Sequence, residues 1–170
     1  MAKANHLNNE IYIHDLSAYA VGSHNCLSIP FDDLLAKGFN TRQTSVRPAQ
    51  SINTAFQLLA VIFQLQSLNQ FGGVSATHLD WTMVPYVRKS YYKHIKDGLK
   101  YMGEPIDYKS FCCEYERIKD DASVSIWNSN WDEYFGSIDI PKKVYKYALD
   151  MTEKEVKQAV EGMFHNLNTL

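Results

Sequence analysis

The chain has 170 residues, of which 45% are hydrophobic and 21% are charged. Lys and Arg number 17 and Asp and Glu number 19, so the formal net charge is −2. This length and composition predict one soluble globular domain. A near-neutral chain has no strong field for holding nucleic acid, and no polybasic run marks a membrane surface. We therefore expect neither nucleic acid nor a membrane among its partners.

The cysteines predict reduced thiols. Cys26, Cys112 and Cys113 are odd in number, and the last two are neighbours that cannot bridge each other without strain. Residues 1–10 carry polar and charged side chains where a secretory signal needs an apolar stretch of about 7 to 15 residues. These features predict a cytoplasmic protein without a disulfide scaffold, in which Cys112 and Cys113 are packing residues.

The first forty residues predict short elements joined by loops. β-branched and aromatic residues favour strands over 11–14 and 25–29. The segment from Phe31 predicts a short helix closed by Gly38, because glycine tolerates the left-handed conformation that ends many helices.

The next predicted helix has an unusual composition. Ser51 is a suitable N-cap for a helix from Ile52 to Phe71, and no Asp, Glu, Lys or Arg occurs from Pro48 through Leu79. Apolar side chains cover most of its circumference, as in helices buried inside a large protein or at a subunit interface. A membrane span of about 20 apolar residues is rejected, because four glutamine amides would lie in hydrocarbon: Gln57, Gln64, Gln66 and Gln70.

A second long helix is predicted from Thr77 to Met102, with Pro85 either kinking it or defining its start. His78 and Asp80 form either a local pair or a helix cap supplied by Asp80. The outer face carries basic residues that we interpret as a solvated stripe, with phosphate contact as the alternative: Arg88, Lys89, Lys93, Lys96 and Lys100.

The last third predicts further helices. Residues 108–121 favour a short helix, and the chain is helical again from Pro141. Thr152 followed by Glu155 fits a capping box, which predicts that a second helix begins there. The final helix shows no C-cap signal before Leu170, so we expect the chain to stop in mid-structure.

Common catalytic motifs are missing, including GxGxxG, GxxxxGK[ST], HExxH, GxSxG and CxxC. A polar cluster remains on the predicted first strands: His14, Asp15, His24, Asn25 and Cys26. Two interpretations of Cys26 are open. Free cysteine is commonly a small buried hydrophobe, whereas nearby imidazoles would lower the pKa of a reactive thiol in a polar pocket.

Most of the chain resembles the anaerobic (class III) ribonucleoside-triphosphate reductases. The resemblance is carried by IYIHDLSAYAVGSHNCLSIPFDDLLAKGF, RPAQSINTAFQLLAVIFQLQSLNQFGGVSATHLDWTMVPYVRKSYYKH and EGMFHNLNTL. It implies a helix-rich α/β fold that is the opening portion of a ten-stranded α/β barrel around a radical site. Residues 1–170 would then be a partial catalytic barrel domain.

The resemblance also implies a chemistry. In that family a glycyl radical near the C-terminus makes a thiyl radical on a central cysteine, which removes the 3′ hydrogen of a ribonucleoside triphosphate, and the 2′ hydroxyl leaves as water. A second cysteine, within a His-Asn-Cys context on the first barrel strand, takes part in hydrogen transfer on the opposite side of the ribose. By resemblance Cys26 is that catalytic residue, and His14 and Asn25 are substrate-pocket residues for ribose hydroxyls or formate.

The implied partners are a ribonucleoside triphosphate, nucleotide effectors, the rest of the reductase chain, a radical-generating activase and a second subunit in a homodimer. The intact family uses a glycyl radical made by an iron–sulfur/S-adenosylmethionine activase, formate as reductant and a C-terminal zinc site. The ATP-cone, thiyl cysteine, glycyl radical loop and zinc site have no counterpart here, so we expect no cofactor or metal in this chain and no activity from it alone. The alternative hypothesis is a non-catalytic regulatory protein that pairs with a reductase through residues 52–71.

Overall fold

The computed structural model describes residues 1–14, 16–17, 26–41, 44–70, 72–103, 105–118 and 138–169. These ranges contain six helices and four short strands. In chain order they are α1 (Ala2–Leu7), β1 (Leu27–Ser28), α2 (Phe31–Lys37), β2 (Phe39–Asn40), β3 (Ser45–Val46), α3 (Ile52–Ser67), β4 (Val74–Ser75), α4 (Leu79–Tyr101), α5 (Pro105–Ile118) and α6 (Lys142–Asn168). A helix-rich chain with few strands fits a fragment of an α/β protein.

The strand predicted over 11–14 is wrong. The backbone N–H of Ile13 donates to Nδ1 of His6 at 3.1 Å, and the Tyr12 ring lies 5.7 Å from the His6 ring. The segment therefore folds back on α1, where the His6 ring and the carbonyl of Asn5 accept hydrogen bonds from its backbone. The strand predicted over 25–29 is present only as β1, and Asn25 lies outside the described residues.

The four strands form two separate ladders. β1 pairs in parallel with β4, with Leu27 opposite Val74. β2 and β3 form an antiparallel pair next to α2. The predicted end of α2 is confirmed: Gly38 has a φ of 74°, and a side chain there would collide with the carbonyl of Val46.

The start of α3 is confirmed by its cap. The hydroxyl of Ser51 accepts a hydrogen bond from the Thr54 N–H at 3.3 Å, and the N–H of Ile52 donates to the hydroxyl of Ser90 at 3.1 Å. The helix ends at Ser67, four residues before the predicted end, and Phe71 lies outside the described residues. Side-chain bonds to carbonyls of the last turn satisfy these groups without a further helical turn.

Two expectations about the start of α4 are wrong. The helix begins at Leu79, so Pro85 lies inside it and does not define its start. His78 occupies the N-cap position with a left-handed φ of 52° and makes no capping side-chain bond, whereas Asp80 lies in the first turn. A carboxylate there still interacts favourably with the positive end of the helix dipole.

The basic residues of α4 are not one solvated stripe. Lys89 is only 9% exposed, and its ammonium group donates to the carbonyl of Ala49 and the side-chain oxygen of Gln50, at 3.5 and 3.3 Å. Lys96 forms an ion pair with Glu116 of α5 at 3.2 Å. The stripe interpretation is wrong for Lys89, because its side chain is buried and joins two segments, whereas the exposed ion pair of Lys96 is compatible with a solvated face.

The last helix is continuous. A second helix beginning at Thr152 is wrong, since Thr152 is buried in the middle of α6 and its hydroxyl donates to the carbonyl of Ala148 at 2.6 Å. Glu155 does not cap a helix. Its carboxylate lies 2.8 Å from Nε2 of His94, with which it forms a hydrogen bond, or an ion pair when the imidazole is protonated. Of the two capping-box residues, Glu155 therefore joins α6 to α4, and Thr152 bonds within α6.

Within the described ranges the core consists of two clusters of buried side chains, and α6 contributes to both. The first joins α2, α3, the first half of α4 and the second half of α6, including Ala159 and Met163. The second joins the second half of α4, α5 and the first half of α6, including Val144 and Ala148. No helix within the described ranges is long and apolar enough to cross a membrane.

Candidate active site

Cys26 lies at the start of the parallel β1–β4 ladder. The N–H of Leu27 donates to the carbonyl of Gly73, and the N–H of Ile29 donates to the carbonyl of Ser75, both at 3.0 Å. The thiol of Cys26 is exposed in this chain. The interpretation of Cys26 as a buried hydrophobe is therefore wrong, and a thiol accessible to a ligand is what the structure presents.

The two faces of this ladder differ in polarity, because successive side chains of a strand point to opposite faces. On one face Ile29 is buried, and Val74 and Ala76 pack against the first core cluster. Cys26 and Ser28 alternate with the core-facing residues, and both are exposed. The thiol therefore belongs to a polar face that the core of this chain does not cover.

Hydroxyl groups continue this polar face away from Cys26. The hydroxyls of Ser28 and Thr77 lie 3.4 Å apart, and the Ser75 hydroxyl donates to the carbonyl of Leu27 at 3.4 Å. All three hydroxyl-bearing residues are exposed. Such groups both donate and accept hydrogen bonds, so they suit a ligand rich in hydroxyl or phosphate oxygens.

His14 is also exposed, and the structure places its ring edge-on to Tyr12, with 6.3 Å between ring centroids. Asn25, together with Asp15 and His24, lies outside the described residues. The polar cluster predicted around Cys26 is therefore described only at His14 and Cys26. The roles of His14 and Asn25 in substrate binding stay predictions.

The main residue that sequence reasoning missed is Gly73. Gly73 follows the predicted helix 52–71 after a single glycine, and a strand of two residues is too short to show a periodic pattern. In the structure a Cβ atom built on Gly73 would lie 3.9 Å from Sγ of Cys26. Only the parallel pairing of β1 with β4 reveals this neighbour.

A polar contact joins α2, the helix that follows β1, to α4. The Thr82 hydroxyl donates to a carboxylate oxygen of Asp32. Burial, with a smaller contribution from the negative charge of Asp32, raises the pKa of Tyr86 to about 12. Tyr86 therefore stays neutral at physiological pH, and this cluster positions α2, which directly follows β1 and Pro30.

The described ranges contain no candidate metal centre. Among those residues, no three His, Cys, Asp or Glu side chains come together in a way that could hold a metal ion. The described side chains thus supply no set of ligands for a zinc ion of the kind that the family resemblance implies.

Comparison with known proteins places this site in a family. The family model for anaerobic ribonucleoside-triphosphate reductase matches residues 1–170. The reductase of that name from Haemophilus influenzae is 33% identical over 92 residues, which is 54% of this chain and 13% of the relative. The one from Enterobacteria phage T4 is 29% identical over 97 residues, 56% of this chain and 16% of the relative.

The reductase of the same name from Escherichia coli is 30% identical over 92 residues, again 54% of this chain and 13% of the relative. The chain therefore spans a small part of the length of the curated relatives it matches. Because the family model covers every residue from Met1 to Leu170, this chain belongs to the anaerobic ribonucleoside-triphosphate reductase family.

Proposed function

We propose that residues 1–170 are the opening portion of the catalytic α/β barrel of a reductase that converts ribonucleoside triphosphates into deoxyribonucleoside triphosphates for DNA synthesis. The observation that carries the proposal is the exposed Cys26 thiol on the parallel β1–β4 ladder. Parallel strands require a crossover connection, and here the connection contains α3, which packs on the core. A strand–helix–strand crossover is the unit from which α/β barrels are built.

Cys26 is proposed to take part in hydrogen transfer to the ribose. An S–H bond is weak enough to give a hydrogen atom to a carbon radical, whereas an O–H or N–H bond is too strong. The family's glycyl radical, made by an iron–sulfur/S-adenosylmethionine activase, supplies the oxidising equivalent that starts the reaction. With formate as reductant the net reaction balances as ribonucleoside triphosphate, formate and a proton giving deoxyribonucleoside triphosphate, carbon dioxide and water.

The pocket residues His14 and Asn25 are proposed to bind ribose hydroxyls or formate. An imidazole and a carboxamide each offer a donor and an acceptor, which matches the hydroxyl groups of a ribose. The exposure of His14 supports this proposal, because its ring is accessible to a ligand. A cytoplasmic location and nucleotide effectors belong to the same proposal.

The outer face of α3 supports a proposed contact with a second subunit or with the rest of the reductase chain. Val61, Leu65 and Leu68 recur on the side of α3 that faces away from the core, and their exposed fractions are 41%, 40% and 82%. The helix carries no charged side chain. An apolar stripe of this kind is typical of a surface that another chain or segment covers.

The proposed role of Cys26 is tested in the complete reductase that carries this segment, activated anaerobically and assayed for deoxyribonucleotide product. We expect Cys26→Ala to abolish product formation, while Cys113→Ala, which alters another exposed cysteine, retains it. Glycyl radical formation measured by electron paramagnetic resonance should be unchanged in both variants, which shows that they fold and bind the activase. Retained turnover in Cys26→Ala would remove Cys26 from the mechanism.

The gene supplies a simpler test. We expect the coding sequence that flanks this segment, or a neighbouring gene, to encode the rest of the barrel and a C-terminal glycyl radical loop. Flanking sequence that encodes neither would contradict a catalytic role and leave the regulatory alternative.

That alternative is a non-catalytic protein that pairs with a reductase through α3, and the exposed Val61, Leu65 and Leu68 favour it. It predicts that the chain alone forms a defined complex with a full-length reductase in size-exclusion chromatography with light scattering. Leu65→Asp should abolish that complex, whereas Gln57→Asp, at a polar exposed position of the same helix, should weaken it less. An aggregating or molten chain would contradict this alternative.

A further inference from the structure

Neither the backbone conformation at position 73 nor the packing around it requires a glycine. Gly38 and Gly103 have positive φ angles, whereas Gly73 does not. A Cβ atom on Gly73 would meet only one heavy atom within 4 Å among the described residues, Sγ of Cys26 at the ordinary contact distance of 3.9 Å. Gly73 directly precedes β4, and a glycine beside a strand can mark a place that a ligand approaches closely.

The position of Gly73 specifies which ligand atoms would approach. Its carbonyl accepts the hydrogen bond of Leu27, so Gly73 lies directly beside Cys26 across the ladder. The hydroxyls of Ser28 and Ser75 follow along the two strands. A sugar lying over this face would be within reach of both the thiol and the hydroxyl groups.

We propose that Gly73 is a positioning residue for the reduction of ribonucleotides, because the missing side chain leaves the space beside the Cys26 thiol into which the ribose fits. This inference rests on the proposed function of Cys26. The methyl group of an alanine would touch the thiol without displacing it, and it would occupy volume that the ribose needs. Reacting atoms must approach to about 3–3.5 Å, and a misplacement of about 1 Å can cost roughly 100-fold in rate.

The experiment uses the complete reductase that carries this segment, with the variants Gly73→Ala and Gly73→Val. We expect Gly73→Ala to lower kcat by roughly 100-fold, with a smaller change in KM because contacts distant from the thiol still bind the nucleotide. Gly73→Val should lower kcat further. The matched control is Gly162→Ala, at an exposed glycine of α6 with no neighbour within 4 Å, and it should leave kcat unchanged.

The melting temperature distinguishes the proposed positioning role of Gly73 from a purely structural role. We expect Gly73→Ala to leave the melting temperature unchanged. Unchanged kcat in Gly73→Ala, or a fall in kcat accompanied by a lower melting temperature, would overturn the inference. The two proposals fail differently. If Cys26→Ala is inactive and Gly73→Ala is fully active, only the role of Gly73 is wrong, whereas turnover in Cys26→Ala refutes the proposed function itself.

Discussion

Gly98 of α4 lies directly against α6, and its replacement by alanine is a quantitative test of that contact. A Cβ atom on Gly98 would lie 3.0 Å from Cγ1 of Val144 and 3.1 Å from Cδ1 of Tyr147. Both distances are shorter than ordinary contacts between carbon atoms, which are about 3.5–4.0 Å. Val144 is fully buried, so its side chain has little room to move away.

Two opposing effects decide the result. Replacing glycine by alanine inside a helix stabilises it by about 1 kcal/mol. Overpacking a well-packed core costs about 1–3 kcal/mol. The net effect of Gly98→Ala is therefore a decrease of about 0–2 kcal/mol in the free energy of unfolding.

Gly162 provides the matched control, because it is also a helical glycine but, apart from the backbone of its own helix and its chain neighbours, no heavy atom of the described residues lies within 4 Å of the added Cβ. Gly162→Ala receives only the helix-propensity gain, so we expect it to increase the free energy of unfolding by about 1 kcal/mol. The two variants should therefore differ by about 1–3 kcal/mol, the overpacking cost alone.

Urea unfolding followed by far-ultraviolet circular dichroism measures both values on the 170-residue chain. Equal stabilisation by Gly98→Ala and Gly162→Ala would show that α4 and α6 do not approach closely at Gly98. The double variant Gly98→Ala/Val144→Ala gives a second check, since the smaller side chain makes room for the new methyl group. Its loss of stability should be less than the sum of the two single losses.

Three further predictions concern polar contacts between the helices. Ser90→Ala should lower the free energy of unfolding by about 1–3 kcal/mol in urea titrations, because it leaves the buried N–H of Ile52 without its acceptor; an unchanged value would contradict that hydrogen bond. A double-mutant cycle with His94→Gln and Glu155→Gln should give a coupling energy of about 0.5–3 kcal/mol, and strict additivity would show that the pair contributes nothing. Burial raises the pKa of Tyr86 to about 12 from its usual value of 10.0, so the stability that this neutral hydroxyl contributes is present below pH 10 and lost as the pH rises to 12. The free energy of unfolding of the unmodified chain relative to Tyr86→Phe should therefore fall across that range, and a constant difference would refute the shift.

Local signals predicted parts of the fold well. Ser51 begins α3 through a side-chain hydrogen bond within the first turn, and Gly38 ends α2 through its positive φ angle. Both predictions are confirmed. Thr152 carried a similar local signal, but it is buried between helices and donates within α6. Lys89 likewise followed a pattern typical of surface residues. Its ammonium group nevertheless donates to Ala49 and Gln50, which lie just before α3 and far from Lys89 in the sequence. Local patterns failed where tertiary packing buried a residue, as for Thr152, or supplied it with distant partners, as for Lys89.

In the candidate site, too, local features could be predicted from the sequence and tertiary contacts could not. The sequence around Cys26 predicts a strand, and β1 begins directly after it. The neighbour across the ladder, Gly73, could not be predicted because it depends on pairing between segments far apart in the chain. No local pattern encodes such a pairing, since it is decided by how α3 crosses from one strand to the other.

The continuity of α6 has a consequence for how the chain folds during synthesis. Val144 and Ala148 of this helix complete one core cluster, and Ala159 and Met163 complete the other. Neither cluster can bury its apolar surface while Lys142–Asn168 is still inside the ribosome. The helices synthesised earlier therefore keep exposed apolar faces until α6 emerges. We expect nascent chains that stop before α6 to be bound by chaperones or cut by proteases. Chains in which α6 has left the ribosome should resist proteolysis.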